Sequence, residues 1–173
     1  MPKSIVCIQK VKEYEESLVK EAVKKILQAF GGPSSIAKGK KVLIKPNILS
    51  EAAPQEAVTT HPVVVKAVCE IFLQEGYRVS IGEGIGGAPA PARPAFLKSG
   101  IAQVAESLGI PLLNFQETGS VKLKLPFGPV PSINVAKPLL EQDAIINVAK
   151  LKTHGLTGIT CALKNLYGYI PGF

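Results

Sequence analysis

Two short apolar runs, KKVLIK (residues 40–45) and YRVSI (77–81), stand on either side of a segment with helical period, and no other feature of the chain constrains its fold so tightly. Each run is too short for a helix, and each ends in residues that break pairing, Pro46-Asn47 after the first and Gly82 after the second. Between them, Thr60 is placed to cap a helix whose first turn holds His61-Pro62. In that helix Val64, Val68, Ile71 and Phe72 face inward, and Gly76 follows its end near Gln74. Strand, helix and strand in this order form a βαβ unit, whose two strands lie parallel. The expected fold class is α/β, a mostly parallel sheet flanked by helices.

The flanking sequence extends that plan. Residues 4–8 read as a short strand. Residues 14–30 read as an amphipathic helix with Leu18, Ala22, Ile26 and Phe30 as its apolar stripe, ended by Gly31-Gly32-Pro33. A helix is expected over residues 95–108, closed by Gly109. Short strands at 112–115, 121–125 and 132–135, separated by Gly and Pro, make a small antiparallel β side arm within residues 110–136. Residues 143–149 read as a buried strand, and residues 160–166 can open a last helix. With 46% hydrophobic residues, 6% aromatic and no Trp, the core is one of Val, Ile, Leu and Ala, and 173 residues suit a single α/β domain over 1–173.

Composition removes several classes of function. The net charge of +7 arises from 20 Lys+Arg, of which only Arg78 and Arg93 are Arg, and the lysines are scattered. Nucleic-acid readers concentrate Arg and stacking aromatics on one face, so nucleic acid is not an expected partner. Most of the lysines read as solvated surface; a small anionic ligand beside Lys150, Lys152 and Lys164 is the sharper reading. Cys7, Cys69 and Cys161 are an odd number without a C-x-x-C pair. They supply neither a disulfide framework nor, from this chain alone, a four-thiolate cluster or zinc site. No stretch approaches the roughly 18 uninterrupted apolar residues of a membrane span, and the N-terminus lacks a signal-peptide core. A soluble, cytoplasmic protein without a membrane partner is expected, and a homo-oligomer is compatible with the sequence.

In open α/β sheets ligands bind beyond the carboxyl ends of the strands. Three such ends carry unusual chemistry and are expected to share one rim: Lys45-Pro46-Asn47, GEGIGG (82–87) and Lys150-Leu151-Lys152-Thr153-His154. The loop 47–60 has no clear period and is longer than most connections, which makes it a candidate lid. GEGIGG lacks the setting of a dinucleotide fingerprint, because Pro89, Pro91 and Pro94 follow where a helix should begin. Glu83, between two glycines, suits a metal ligand or base, with a solvated turn carboxylate as the plain alternative. His61, in a first helical turn, has an equally plain one.

The closing stretch KLKTHGLTGITCALKNLYGYIPG (150–172) is the richest. Gly155 and Gly158 permit close backbone approach, and Thr153, Thr157 and Thr160 offer hydroxyls. His154 is a titratable group beside cations, and Lys164 suits an anion contact or a covalent anchor. The candidate catalytic residues are His154, Lys164 and His61. Candidate cofactor contacts are Lys45, Asn47, Gly82, Gly84, Lys152, Gly155, Thr157 and Asn165, and candidate metal ligands are Glu83 and His154.

IKPNI (44–48), TTHPVVVKAV (59–68), GEG (82–84) and the closing stretch together closely resemble the domain-of-unknown-function family 362, from about residue 40 to residue 172. That resemblance implies frequent joining to ferredoxin-like segments with 4Fe-4S clusters, and a chain that continues past the IPG end. A cluster would then sit on a further segment or a partner, and this chain would be a truncated or short member. A weaker resemblance is to the N-terminal domain of nickel-pincer lactate racemases, which share a strand, a histidine, a glycine-rich turn and a lysine ten residues after the histidine. It implies that His154 falls on a catalytic histidine and Lys164 on the lysine anchoring the organometallic cofactor, with Thr60-His61-Pro62 on a Thr-Arg-Pro element. Residues 82–87 stand where that family has its other catalytic histidine, which counts against two-histidine racemisation and leaves a shared fold and pocket position.

The expected function is that of an anion- or cofactor-binding α/β domain, the core of a redox-linked or metal-dependent cytoplasmic enzyme or isomerase. In it the lysines hold an anion, His154 transfers a proton or ligates a metal, and Asn47 orients the substrate. The alternative is a non-catalytic docking module for an iron-sulfur, ferredoxin-like partner or segment, its basic rim facing an acidic protein.

Overall fold

The computed structural model describes residues 4–85 and 92–171. Helices α1 (Glu16–Ala29) and α2 (Pro33–Ile36) lead into strand β1 (Lys41–Pro46), and α3 (Pro62–Gln74) connects it to β2 (Arg78–Glu83). Helices α4 (Ala92–Lys98) and α5 (Ile101–Leu108) precede β3 (Leu112–Asn114). Strands β4 (Ser120–Lys124) and β5 (Ser132–Ala136) come before β6 (Ala144–Val148). After it lie β7 (Lys152–His154), β8 (Gly158–Thr160), α6 (Ala162–Asn165) and a 3₁₀ turn, Leu166–Tyr169.

One four-stranded sheet runs in the order β3-β2-β1-β6 and is parallel at every junction. β4–β5 and β7–β8 are small antiparallel pairs outside it. This is the α/β plan that the two apolar runs require. β1 is buried from Val42 to Pro46, as a central parallel strand covered on both faces must be. Its alternation divides the core: Val42 and Ile44 pack with Val65, Phe72, Phe96 and Ile101 of the helices, while Leu43 joins Phe115, Ala136 and Tyr169. Each such buried side chain contributes about 1.5–3 kcal/mol. From β1 the chain builds outward through β2 and β3, then returns to place β6 on the other side of β1. The strand order therefore reverses at β1, and crevices at the carboxyl ends beside such a reversal are where open sheets take ligands.

Several local expectations are corrected. Residues 4–8 are not a strand: none among the described residues pairs with them, and Ile5, Val6 and Ile8 are exposed, because β propensity without a partner edge does not make a strand. In α1 the buried side chains are Val19 and Leu27, with Val23 against the core, while Leu18 and Phe30 are exposed. The true stripe lies one residue along, about 100° around the helix. His61, not Thr60, caps α3, its Nδ1 accepting from the Val63 N–H at 3.4 Å. The expected helix 95–108 is two, broken at Gly100 (φ +78°), where a Cβ would also crowd Pro62. β6 is a half-buried edge strand rather than a buried one, and the stretch after it folds as the β7–β8 hairpin. Gly82 and Glu83 complete β2, while Gly86 and Gly87 lie outside the described residues. Among the described residues no helix is long and apolar enough to cross a membrane.

Candidate functional site

The carboxyl ends of β1 and β2, the hairpin after β6 and α6 enclose a cleft of about 340 Å³. Its polar lining includes Asn47, Gln116, Lys152, His154, Thr160, Lys164 and Asn165, with Glu83 and Gly84 at one wall; Ile48, Leu49, Ile85, Tyr167 and Ile170 supply apolar surface. The three strand ends singled out in the sequence therefore do meet.

At the base of the cleft lies a buried ion pair. Lys45 in β1 is 0% exposed and Glu83 in β2 is 2% exposed. The Lys45 ammonium sits 2.6 Å from each Glu83 carboxylate oxygen, and it also donates to Asn165 Oδ1 (3.2 Å) and the Pro46 carbonyl (3.1 Å). Glu83 accepts further bonds from the backbone N–H of Gly84 (2.9 Å) and Ile48 (3.3 Å). Burial pushes the Glu83 carboxyl up to about 7, although Lys45 and the two amides favour its charge. Burial likewise lowers Lys45, with Glu83 opposing the shift. The 3₁₀ turn after α6 closes over the pair. A Cβ on Gly168 would collide with Glu83 Oε1 and stand 3.0 Å from Lys45 Nζ, and one on Gly84 would collide with the Gly168 carbonyl. Tyr169 in the same turn brings its ring to 5.4 Å from Lys45 Nζ, and its hydroxyl is buried without a hydrogen-bond partner among the described residues.

The loop 47–60 is pinned rather than loose at its base. The Thr60 hydroxyl donates to the Val148 carbonyl (2.6 Å) and accepts from the Asn47 N–H (2.9 Å), and the Thr60 N–H donates to the Asn47 carbonyl (2.9 Å). Lys152 donates to Asn47 Oδ1 (2.8 Å) and to the Val58 carbonyl, which ties the hairpin to the same loop. Burial, and after it the ammonium of Lys164, lowers the pKa of Lys152. Neither Lys152 nor Lys164 has a carboxylate in ion-pair contact among the described residues. His154 Nδ1 accepts from the backbone N–H of Leu156 (3.2 Å) and Thr157 (3.3 Å), so the proton of the neutral ring sits on Nε2.

Of the residues singled out in the sequence, Asn47, Glu83, Gly84, Lys152, His154, Lys164 and Asn165 line the cleft, and Lys45 lies just behind its wall. Gly155 and Thr157 are exposed on the hairpin away from the lining, and Gly82 packs under Phe115, where a Cβ would not fit. His61 stands apart, stacked on Tyr14 with ring centroids 3.7 Å apart, its pKa lowered by burial and then by Lys150. The sequence reading missed the pairing of Lys45 with Glu83, although opposite charges at the ends of two neighbouring apolar strands were a usable signal. It also missed Asn147, which accepts from Asn165 Nδ2 (2.7 Å) and donates to the Ala162 carbonyl (2.8 Å), holding α6 against β6.

The donor set does not fit a metal held by this chain alone. Among the described residues no three His, Cys, Asp or Glu side chains cluster as ligands. Glu83 is committed to Lys45 and two amides, and ligation through His154 Nε2 would need the proton on Nδ1, which is instead an acceptor. Cys69 is buried, with its thiol pushed up to about 12, and Cys161 is exposed, so these thiols do not form an iron-sulfur site.

Over residues 42–173 the chain matches the domain of unknown function DUF362. It belongs to this family. It is also similar to the thylakoid-associated protein sll1697 of Synechocystis sp., with 28% identity over 170 residues, covering 96% of this chain and 51% of that protein. The chain thus spans about half the length of that curated DUF362 relative. No solved structure matches.

Proposed function

We propose that the cleft binds a small anion, a carboxylate, a phosphate or the anionic group of a cofactor, and that this DUF362 domain is the ligand-binding core of a cytoplasmic enzyme. The observation that carries this reading is the pair Lys152 and Lys164, two cations lining one cleft, neither in ion-pair contact with a carboxylate among the described residues. Near a protein surface, a charge pair at about 4 Å attracts by about 4 kcal/mol before desolvation is counted. An anion there offsets the mutual repulsion of the lysines. Asn47 orients the ligand through its side-chain N–H groups, Asn165 is spent on Lys45, Pro46 and Asn147 and holds the wall behind it, and His154 donates its Nε2–H and passes a proton to or from the ligand. The test is calorimetric titration with sulfate, phosphate and oxalate. Lys164→Ala and His154→Ala, shown to be folded, should each weaken binding about tenfold or more, and higher salt should weaken it further. Unchanged affinity in both would sink the assignment.

A second reading has its own support. Leu156 (89% exposed), Ile159 and Leu163 (85% exposed) leave apolar surface on the hairpin and α6, and the relative named for its thylakoid association is about twice as long as this chain. That surface would seat an iron-sulfur, ferredoxin-like partner or segment. Leu156→Ser/Leu163→Ser should then abolish binding of such a protein while leaving anion affinity intact, and no change in binding would remove this reading.

A further inference from the structure

Among the described residues lining the cleft, Glu83 is the sole carboxylate, and it belongs to an ion pair that the anion-binding reading does not use. We propose that Glu83 is the proton-accepting group of the cleft, taking up one proton as an anion seats against Lys152 and Lys164, so that the site takes small acids as anion plus proton. This rests on the anion-binding reading above and specifies its ligand class.

With Lys45 protonated and Glu83 ionised the pair is neutral overall, and the carboxylate repels an incoming anion. A proton from solvent on Glu83 removes that repulsion and leaves the Lys45 charge unbalanced, adding one positive charge to those of Lys152 and Lys164 that face the ligand. Lys45 is not stranded by this, because Asn165 Oδ1 and the Pro46 carbonyl still accept from its ammonium. The groups facing Glu83 are Lys45 from β1, the amides of Ile48 and Gly84, Tyr169 from the 3₁₀ turn and, more distantly, Lys152 from β7. Burial already holds the carboxyl near neutrality, at about 7, so a nearby anion moves it across the working range.

Sulfate and oxalate, both fully ionised above about pH 6, are suitable probes. Their binding at about pH 8 is measured by calorimetry in buffers of different ionisation enthalpy, which counts protons taken up per anion bound. Close to one proton is expected, with apparent affinity falling by up to about tenfold per pH unit above about 7. Lys152→Arg and His154→Gln remove two other groups able to take the proton, and uptake per bound anion should survive both, whatever happens to affinity. Lys45→Met/Glu83→Gln, which leaves no lone buried charge, should lose it. Carbon-13 NMR of the Glu83 carboxyl in the unaltered protein gives the same answer without any variant, moving from carboxylate to carboxylic acid as anion is added. Binding without uptake, a carboxyl signal that stays ionised, or uptake that vanishes in Lys152→Arg or His154→Gln overturns the proposal. Absence of any anion binding overturns the site reading itself.

Discussion

Lys45→Met deletes the cation at the centre of the site and leaves Glu83 buried against two backbone N–H groups. Removing one member of a buried ion pair costs about 3–5 kcal/mol, because the other charge is left without its partner. Glu83→Gln should cost less, about 1–2 kcal/mol at about pH 8, because a carboxyl at about 7 is neutralised there at little cost and the Lys45 ammonium keeps Asn165 Oδ1 and the Pro46 carbonyl as acceptors. The double variant removes both charges. The Pro46 carbonyl keeps its bond from Asn165 Nδ2 at 3.1 Å, so the principal orphan is Asn165 Oδ1, and the double should cost only about 1–2 kcal/mol. The cycle therefore predicts a coupling of at least about 2 kcal/mol, read from urea unfolding at about pH 8. A pH dependence should accompany it. Burial raises the folded carboxyl from its ordinary 4.5 to about 7, so the contribution of Glu83 to stability is full below about 4.5 and is lost as pH rises through 7. In Lys45→Met the carboxyl rises further, and the deficit should shrink as the pH is lowered to about 7, below which both proteins carry the proton. Additive single variants, or single costs below about 1 kcal/mol, would refute the reasoning.

Two further substitutions separate the site from its surroundings. Gly168→Ala places a methyl group against Glu83 Oε1 and 3.0 Å from Lys45 Nζ, and should cost about 1–3 kcal/mol in unfolding free energy while weakening anion binding; wild-type behaviour in both would show that the turn does not close on the pair. His61→Ala removes the α3 cap and the Tyr14 stack, and should lower thermal stability by about 0.5–2 kcal/mol with anion affinity unchanged; a clear loss of affinity would return His61 to the site.

The sheet was legible because β1 and β2 need little beyond their own residues: a short apolar run, a breaker and a helical period between them point to parallel pairing. Residues 4–8 and Gly100 show the limit of that reasoning. The former have strand-forming side chains and no edge to join, and the latter leaves the helix because of its left-handed φ and its closeness to Pro62, a contact far off in sequence. The rim of the cleft was legible from the unusual residues at strand ends. What was hidden is which of those residues are consumed by one another. Lys45 and Glu83 read as separate ligand contacts until register places β1 beside β2, and Gly168 reads as a spacer until its backbone lies over their side chains.

The most direct measurement is an NMR titration of isotopically labelled protein with oxalate, following backbone amides. Saturable shifts confined to Ile48, Gly84, Lys152, His154, Asn165 and Gly168, and abolished in Lys152→Ala/Lys164→Ala, are the expected result. Shifts absent, or spread over exposed lysines such as Lys122 and Lys124 on β4 without saturation, would show that the cleft is not an anion site.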